Sequence, residues 1–304
     1  MTTVCITGGT GLIGQKLSQM LVSKGYRVII LSRNSKAANG AISYAAWNPD
    51  TGAIDNSVIT ASDYIIHLAG AGVAEKRWTK KRKQEIVNSR VLSSALLVKA
   101  LKETTNHVKA VISSSAIGWY GPDAATAKPF VETDAPFDDF LGTTCLQWEQ
   151  SIEPVSALGI RLVKLRTGIV LSNEGGALKE FKKPLKFGLA TILGSGKQMI
   201  SWIHIDDICR MYMHAIENEI MNGVYNGVAP KPVSNKELTL ALAKKMRGNG
   251  FITVPVPAFA LKIALGEMSI EVLKSTTVSA SKIQNTGFQF LYPSLDAALN
   301  ELIA

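Results

Sequence analysis

Cysteine is scarce in this chain of 304 residues, and the three cysteines show no pattern that would give them a shared role. Cys5, Cys145 and Cys209 lie far apart, without the paired spacing of a metal site or a disulfide framework. This usage is unlike that of small disulfide-rich secreted domains. We therefore expect a protein of the reducing cytoplasm that binds no metal.

Long hydrophobic runs are also missing. No segment approaches the ~20 consecutive apolar residues that a membrane-spanning helix needs. The N-terminus does not resemble a secretory signal, because the first apolar run starts at Val4 and continues into glycines. Hydrophobic residues make up 46% of the chain and charged residues 19%, as in ordinary globular proteins. We expect a cytoplasmic location without membrane association.

Acidic residues are fewer than basic ones, which gives a formal net charge of +9. The densest basic cluster is Lys76–Lys83. Two interpretations stay open: the solvated start of a helix that continues through Ile86, Val87, Val91 and Leu92, or a phosphate-contacting loop near a cofactor. No recognisable nucleic-acid-binding module accompanies the charge. We expect a small-molecule substrate and no nucleic-acid partner.

The most informative feature that is present is a glycine-rich turn near the N-terminus. The apolar run Val4–Ile6 leads directly into Thr7–Gly14 (TGGTGLIG), and apolar residues recur behind it at helical spacing. A buried strand, a glycine turn and a helix in this order bind the pyrophosphate of a dinucleotide at the helix N-terminus. We expect cofactor contacts from five residues of this turn: Gly8, Thr10, Gly11, Leu12 and Ile13.

Alternating strand and helix patterns predict an α/β fold with a doubly wound parallel sheet of the Rossmann type. The predicted strands are Val4–Ile6, Val28–Leu31, Tyr64–Leu68, Val108–Ser113 and Arg161–Leu165, and the predicted helices cover about 13–23, 79–102 and 139–157. After about residue 172, glycines and prolines separate short apolar pieces. We predict a dinucleotide-binding domain over 1–172, to which 197–228 returns, and a smaller C-terminal α+β lobe formed by 173–196 and 229–304.

The residue that meets the adenosine ribose decides between NAD and NADP. A carboxylate about 20 residues beyond the glycines would accept a hydrogen bond from the 2′-hydroxyl of NAD. Here the second predicted strand runs into Ser32-Arg33-Asn34, with Lys36 close by. Arg33 can pair with a 2′-phosphate through two parallel hydrogen bonds, whereas a carboxylate would repel that group. The alternative is a solvated surface arginine. The sequence favours NADP(H) over NAD.

Three motifs together resemble the short-chain dehydrogenase/reductases, in particular their extended, epimerase-like branch. They are the glycine turn Thr7–Gly14, the strand end Asp63–Ala71, and the serine run Ser113–Ala116 followed by Ile117–Gly121. His67, an apolar-flanked residue in mid-strand, is interpreted as structural. The small residues that end its strand leave room for the adenosine, and the later run Leu165–Leu171 matches the segment that passes the nicotinamide in this superfamily. The resemblance thus implies further cofactor contacts at Leu68, Ala69, Gly70, Arg166 and Gly168.

The resemblance also implies a catalytic serine, which by the match is Ser115, whose hydroxyl would hydrogen-bond the reacting oxygen. The alternative is that these serines merely end a strand. The family's acid/base pair, Tyr-x-x-x-Lys on the next helix, is absent from this chain. If Glu149 takes the place of the acidic residue that commonly follows that motif, Leu141 stands for the tyrosine and Cys145 for the lysine. Leucine cannot transfer a proton, so the usual mechanism is in doubt.

Four side chains could replace the missing proton donor: Tyr120, His204, Cys145 and Glu149. Nothing in the sequence places any of them within ~3 Å of a substrate. We choose Tyr120 as the second catalytic residue, because its loop leaves the strand that ends at Ser115.

A second glycine turn, Gly194–Gln198, followed by Ser201–Asp207, resembles the epimerase pattern Gly-x-Gly-x-Gln…Phe-Val-His-Val-Asp-Asp. The match places three residues on the substrate side: Gly194, Gln198 and His204. The adjacent carboxylates Asp206 and Asp207 look like half of a metal site. Because no further ligands accompany them, we interpret one of them as the N-cap of a helix.

The resemblance covers nearly the whole chain, through to the C-terminal run Gly287–Phe290. It is most specific for atypical nucleoside-diphosphate-sugar epimerase-like proteins with a short C-terminal domain of unknown function. It implies an NADP(H)-dependent oxidoreductase or epimerase-like enzyme acting on an unidentified carbonyl or hydroxyl substrate, nucleotide-sugar-like or other. The alternative is a catalytically silent NADP(H)-binding sensor or scaffold. A monomer or a homodimer through the two central helices is expected at the level of the family.

Overall fold

The computed structural model describes residues 1–33, 37–124 and 128–303. The strands are β1 (Thr3–Thr7), β2 (Arg27–Ser32), β3 (Ile42–Asn48), β4 (Ala53–Ile54), β5 (Tyr64–His67), β6 (Ala110–Ala116), β7 (Arg161–Thr167), β8 (Ile169–Leu171), β9 (Leu189–Leu193), β10 (Met199–Ile200), β11 (Trp202–His204), β12 (Gly223–Gly227), β13 (Val233–Ser234) and β14 (Ile252–Val256). The helices are α1 (Leu12–Ser23), α2 (Asn56–Ala61), α3 (Lys80–Glu103), α4 (Phe140–Ile152), α5 (Ala177–Leu185), α6 (Ile205–Glu217), α7 (Asn235–Arg247), α8 (Ala258–Leu265), α9 (Ser269–Leu273), α10 (Ser281–Gln284) and α11 (Leu295–Leu302).

An eight-stranded sheet forms the centre of the molecule, in the order β12-β7-β6-β5-β1-β2-β3-β4. Neighbouring strands are parallel except β3 and β4, which form an antiparallel pair at the edge. The strand order reverses at β1, since β2 lies on one side of it and β5 on the other. Ligands of open α/β sheets bind outside the carboxyl ends of the strands at such a reversal. The predicted α/β fold class is confirmed, and the glycine turn lies at the expected crevice.

Helices cover both faces of this sheet, because its central strands are apolar on both sides. The core on one face includes Leu17 of α1 and Ile208 of α6, and the core on the other includes Ile59 of α2 and Leu97 of α3. All five predicted strands and all three predicted helices exist. The third helix, α4, ends before its predicted limit because Pro154 cannot continue an α-helix, and a 3₁₀ helix follows over Glu153–Leu158.

After β7 the chain alternates between the main sheet and smaller sheets. β12 joins the edge of the main sheet beside β7, while β8 pairs with β11, β9 with β14, and β10 with β13. A third core under α5, α7 and α11 includes Leu178, Trp202 and Leu242. The division into domains stays a prediction. In the described part of the chain, no helix combines the length and the apolarity required to cross a membrane.

Candidate functional site

The glycine turn, residues 8–14, connects the carboxyl end of β1 to α1. Gly8 has a φ of +69°, and a Cβ added there would lie 2.8 Å from the carbonyl carbon of Leu68. A Cβ on Gly14 would lie 2.5 Å from the Gly8 oxygen. Thr10 and Gly11 are exposed, and the first helical turn, Leu12–Gln15, contains no acidic residue. The uncapped start of α1 therefore suits the phosphates of a dinucleotide.

A buried relay fixes the strand end that lies beside the glycine turn. The hydroxyl of Thr7 accepts hydrogen bonds from the amides of Leu68 and Ala69, both at 3.2 Å, and donates to Nδ1 of His67 at 2.7 Å. Nε2 of His67 then donates to the Ser94 hydroxyl at 3.1 Å. Burial lowers the pKa of His67 to about 4, so the ring is neutral. His67 has the structural role predicted for it.

Arg33 lies directly after β2, and its side chain is exposed. β2 is the neighbour of β1, with Leu31 opposite Thr7, so Arg33 follows a strand end that adjoins the glycine turn. Its contact with a 2′-phosphate stays a prediction. Lys36, predicted to lie nearby, is outside the described residues.

A buried polar cluster gathers around the carboxyl ends of β6, β7 and β12. It consists of Ser115, Tyr120, Glu149, Arg166 and Asn226. Ser115 donates to Oε1 of Glu149 at 2.7 Å, and Arg166 donates to both oxygens of the same carboxylate, at 2.8 and 3.1 Å. The hydroxyl of Tyr120 accepts from Nη1 of Arg166 at 3.0 Å and donates to Oδ1 of Asn226 at 2.7 Å. Each side chain of the cluster is therefore hydrogen-bonded to at least one other side chain of the cluster.

This arrangement restricts which groups of the cluster can transfer a proton. Burial raises the pKa of Tyr120 to about 12, although the charge and hydrogen bond of Arg166 act in the opposite direction. Burial likewise opposes the charge on Arg166, but the hydrogen bonds and charge of Glu149 outweigh it and raise the pKa of Arg166. The proton of Ser115 is directed at Glu149, so Ser115 offers lone pairs to any other group. The proton of Tyr120 is directed at the amide oxygen of Asn226, and the role of Tyr120 as proton donor stays a prediction.

Leu141 and Cys145 lie on the face of α4 that approaches the end of β6. A Cβ added to Gly118 would lie 3.2 Å from the Cβ of Leu141 and 3.7 Å from Sγ of Cys145. Burial raises the pKa of the Cys145 thiol to about 12, and its Sγ contacts the carbonyl oxygen of Ala116 at 3.7 Å. Neither residue replaces the missing acid/base pair, because one is apolar and the other stays protonated.

A cavity of about 280 Å³ lies beside Leu141, between the first residues of α3 and α4 and the C-terminal helices. Its wall combines Trp78, Phe140 and Ile270 with four charged residues: Lys83, Asp139, Glu267 and Glu271. The rings of Trp78 and Phe140 meet edge to face, with centroids 4.9 Å apart. Small-molecule sites combine apolar walls with polar groups that orient the ligand, and here half of the lining residues are charged.

The basic cluster Lys76–Lys83 partly closes this cavity. α3 begins at Lys80, so the second half of the cluster is the start of a helix, in line with one of the two interpretations. Arg82 pairs with two carboxylates at 3.0 and 2.9 Å, and Lys83 pairs with Glu267 of the C-terminal segment. Some of these cations therefore form ion pairs within the protein, which neither interpretation included.

The predicted substrate-side and nicotinamide-side residues lie in packed positions. An added Cβ on Gly194 would lie 2.7 Å from Leu273, and one on Gly168 would lie 2.6 Å from the Ser201 oxygen. The amide of Gln198 donates to two backbone carbonyls at 2.9 and 3.3 Å. The contacts of these residues with a ligand stay predictions.

His204 is fully buried and caps α6. Its Nδ1 accepts from the amide of Asp206 at 3.1 Å, and its Nε2 donates to Glu301 at 2.9 Å. The prediction that Asp206 or Asp207 caps this helix was wrong: both lie in its first turn, because the imidazole supplies the capping acceptor. Asp207 instead accepts from the amides of residues 291 and 292, at 2.8 and 2.9 Å. Among the residues the structure describes, no group of three His, Cys, Asp or Glu side chains could hold a metal ion.

Two buried polar residues near the carboxyl ends of the strands were not predicted from the sequence. Asn226 completes the buried polar cluster, and Arg90 lies inside the protein beside Gly70. Arg90 had a sequence signal: it follows Ile86 by four residues on α3 and precedes Ser94 and Leu97 on the same buried face. A charged residue at such a position indicates a specific polar environment.

Comparison with known proteins identifies the family. Residues 4–144 match the model of the NAD dependent epimerase/dehydratase family, and residues 256–302 match a domain of unknown function, DUF1731. The epimerase family protein SSP1921 of Staphylococcus saprophyticus is 37% identical over 98% of each chain, and YfhF of Bacillus subtilis is 36% identical over 99% of this chain and 98% of its own. A crystal structure of the human epimerase family protein SDR39U1 (isoform2) with NADPH superposes with a TM-score of 0.88 at 31% identity, covering 99% of both chains. The chain belongs to the NAD dependent epimerase/dehydratase family.

Proposed function

We propose that this protein binds NADP(H) along the glycine turn and acts as an oxidoreductase or epimerase-like enzyme on a carbonyl or hydroxyl group of a small molecule. The observation that carries the proposal is the uncapped start of α1, placed at the reversal point of the sheet, with the exposed Arg33 directly after the adjoining strand β2. The human relative with NADPH supports this choice of cofactor. When bound, the nicotinamide supplies or accepts the hydride.

We propose two groups of direct cofactor contacts, one with its phosphates and one along its side. In the first group, the amides of residues 8–13 bind the diphosphate and Arg33 binds the 2′-phosphate. Leu68, Ala69 and Gly70 form the wall beside them, since the relay through Thr7 holds their backbone in place. For Arg166 and Gly168 we propose a supporting role, because Arg166 is 2% exposed and Gly168 is enclosed by backbone and side-chain atoms.

For the proton step we propose a relay from Ser115 to Glu149. A substrate hydroxyl beside Ser115 gives its proton to the serine oxygen while the serine proton moves to the Glu149 carboxylate, 2.7 Å away. The substrate carbon then loses hydride and becomes a carbonyl, and the reverse sequence reduces a carbonyl. Arg166 keeps the carboxylate in place through its two hydrogen bonds. Glu149 thus takes the role that the sequence analysis gave to Tyr120.

The substrate is proposed to enter the cavity beside Leu141. The edge-to-face aromatic pair and the charged side chains of the wall suit a small molecule that combines an apolar part with hydroxyl or carbonyl groups. One observation favours the competing hypothesis of a silent NADP(H)-binding protein: the position matched to the catalytic tyrosine holds a leucine packed against Gly118.

The test is to add NADPH to the purified protein, follow its fluorescence, and then supply a panel of carbonyl compounds and nucleotide sugars. We expect saturable NADPH binding and turnover of at least one class. Ser115→Ala should lower the turnover rate by roughly 10²-fold or more without changing NADPH affinity, as expected for loss of a proton-transfer group. Ser113→Ala is the control, since the hydroxyl of this buried serine on the same strand donates only to the Ser114 carbonyl among the described residues.

The outcomes separate the hypotheses. Binding of NADPH without turnover of any compound favours the sensor or scaffold. Turnover that survives Ser115→Ala but not Tyr120→Phe would return the proton transfer to Tyr120. A protein that does not bind NADPH would refute both hypotheses.

A further inference from the structure

Arg90 is a buried cation whose hydrogen bonding is incomplete. It lies on α3 and is 9% exposed. Nη1 donates to the carbonyl oxygens of Ala71 at 3.1 Å and Ile86 at 2.8 Å. A guanidinium has five N–H donors, so three remain on Nε and Nη2. Among residues 1–33, 37–124 and 128–303, no hydrogen bond or ion pair engages them.

The other buried arginines show that this is unusual in the molecule. Arg166 has the carboxylate of Glu149, and Arg82 pairs with two carboxylates. Arg90 has no carboxylate partner in the described part of the chain, and burial lowers its pKa. The enclosed side-chain atoms without a partner in the described chain include no atom of Arg90, so its Nε and Nη2 are open to a ligand. An oxygen acceptor of negative charge would suit these donors.

The surroundings of Arg90 indicate where that acceptor would lie. An added Cβ on Gly70 would be 3.2 Å from Cζ of Arg90, so the guanidinium lies against the backbone that follows β5. β5 stands between β1, which leads into the glycine turn, and β6, which ends at Ser115 and Ala116. The guanidinium also lies 4.8 Å from the ring centre of Trp148, whose Nε1 is itself buried without a partner among the described residues.

We propose that Arg90 is a cofactor-binding residue, which donates from Nε and Nη2 to oxygen atoms of the central diphosphate and the nicotinamide-side ribose of the dinucleotide. This rests on the proposed function, in which the dinucleotide extends from the glycine turn towards Ser115. Such a ligand must pass the end of β5, where Arg90 lies. The phosphate charge then supplies the counter-ion that the protein does not.

The experiment compares two ligands on the variant Arg90→Gln. Glutamine removes the charge but keeps an amide that can donate to the Ala71 carbonyl. The Kd of NADPH should rise roughly tenfold to a hundredfold, as expected for the loss of hydrogen bonds between charged groups. The probe adenosine 2′-monophosphate contains the adenosine and its 2′-phosphate but neither phosphate of the diphosphate, so its Kd should stay within about twofold, a change well below one charged hydrogen bond. Arg90→Lys keeps the charge and should recover part of the NADPH affinity.

Arg161→Gln is a matched control. Arg161 also donates only to backbone carbonyls in the described chain, those of residues 215, 216 and 221. It begins β7, at the opposite end of the sheet from the glycine turn. We expect this variant to lose stability but to bind NADPH like the wild type.

The proposal is overturned if Arg90→Gln, or Arg90→Lys where the first variant does not fold, binds NADPH as the wild type does. It is also overturned if the Kd values of NADPH and adenosine 2′-monophosphate rise equally, or if Arg161→Gln weakens NADPH binding as much as Arg90→Gln does. Failure of the proposed function itself is distinct, because the wild type would then bind no NADPH.

Discussion

The glycine turn and the buried polar cluster both lie at the carboxyl ends of the strands of the main sheet, but they are built in opposite ways. The turn presents backbone amides at an uncapped helix start, with Thr10 and Gly11 exposed. In the cluster, Ser115 and Arg166 are each 2% exposed and donate to the same carboxylate. One region leaves donors free for a ligand, and the other satisfies its donors internally.

The difference explains why binding is easier to infer than chemistry in this protein. A site made of backbone amides depends on local geometry, which glycine positions reveal. A site made of mutually bonded side chains depends on which residues meet in space, and the same bonds serve stability and proton transfer at once. Substitutions in the two regions should therefore affect different measurements.

The largest effect is expected for Glu149→Ala in the cluster. It leaves the Arg166 guanidinium buried without its counter-ion, which should lower the free energy of unfolding by about 3–5 kcal/mol in urea titrations. Glu75→Ala is the control, because this partner of Arg82 is 67% exposed and should cost less than about 1 kcal/mol. Equal losses in the two variants would show that the cluster is not the stabilising element described above.

A smaller effect on stability, but a direct one on binding, is expected for Gly8→Ala in the turn. The positive φ costs about 1–2 kcal/mol for a residue with a side chain, and the added Cβ also displaces the Leu68 backbone. We expect NADPH affinity to fall by roughly tenfold or more, in line with a local strain of that size.

Gly25→Ala separates the cost of a positive φ from the cost of displacing a neighbouring backbone. Gly25 also has a positive φ, of +83°, but an added Cβ there meets no atom within 4 Å among the described residues. This variant should lose only the stability that the positive φ costs, about 1–2 kcal/mol, which is less than Gly8→Ala loses, and it should keep its NADPH affinity. If both glycine variants weakened NADPH alike, close packing against Leu68 would not be what the turn requires.

The smallest effect is expected for Arg33→Ala. Loss of an exposed arginine that pairs with a 2′-phosphate should weaken NADPH by roughly tenfold and leave NADH within about twofold, since hydrogen bonds to charged groups contribute about 1.5–3 kcal/mol at most. Arg27→Ala, an exposed arginine at the other end of β2, is the control. Equal losses for NADPH and NADH would contradict the assignment of the 2′-phosphate to Arg33.

The sequence predicted the elements well because each depends on local pattern. β1, α1 and the turn between them follow from an apolar run, glycines and a helical repeat. The cap of α6 could not be predicted in the same way. Aspartate is a common capping residue, but in the folded chain the free amide of Asp206 donates to the imidazole of His204.

The catalytic assignments show the same limit more clearly. Ser115 was chosen by resemblance, and the sequence could not reveal that its proton is directed at Glu149, 34 residues later. Tyr120 was chosen for its nearness along the chain to Ser115. Its bond to Asn226, 106 residues away, depends on β12 joining the far edge of the sheet.

By itself the sequence determined the dinucleotide-binding architecture, because strand, glycine turn and helix are consecutive and their geometry is local. It also showed that Tyr-x-x-x-Lys is absent, so the family's usual proton transfer through that pair does not apply to this protein. Only the tertiary structure decided which charges are paired: Arg166 meets Glu149, whereas Arg90 meets no carboxylate in the described chain. Pairing joins residues from different strands and helices, so it depends on how the sheet is ordered and not on spacing along the chain.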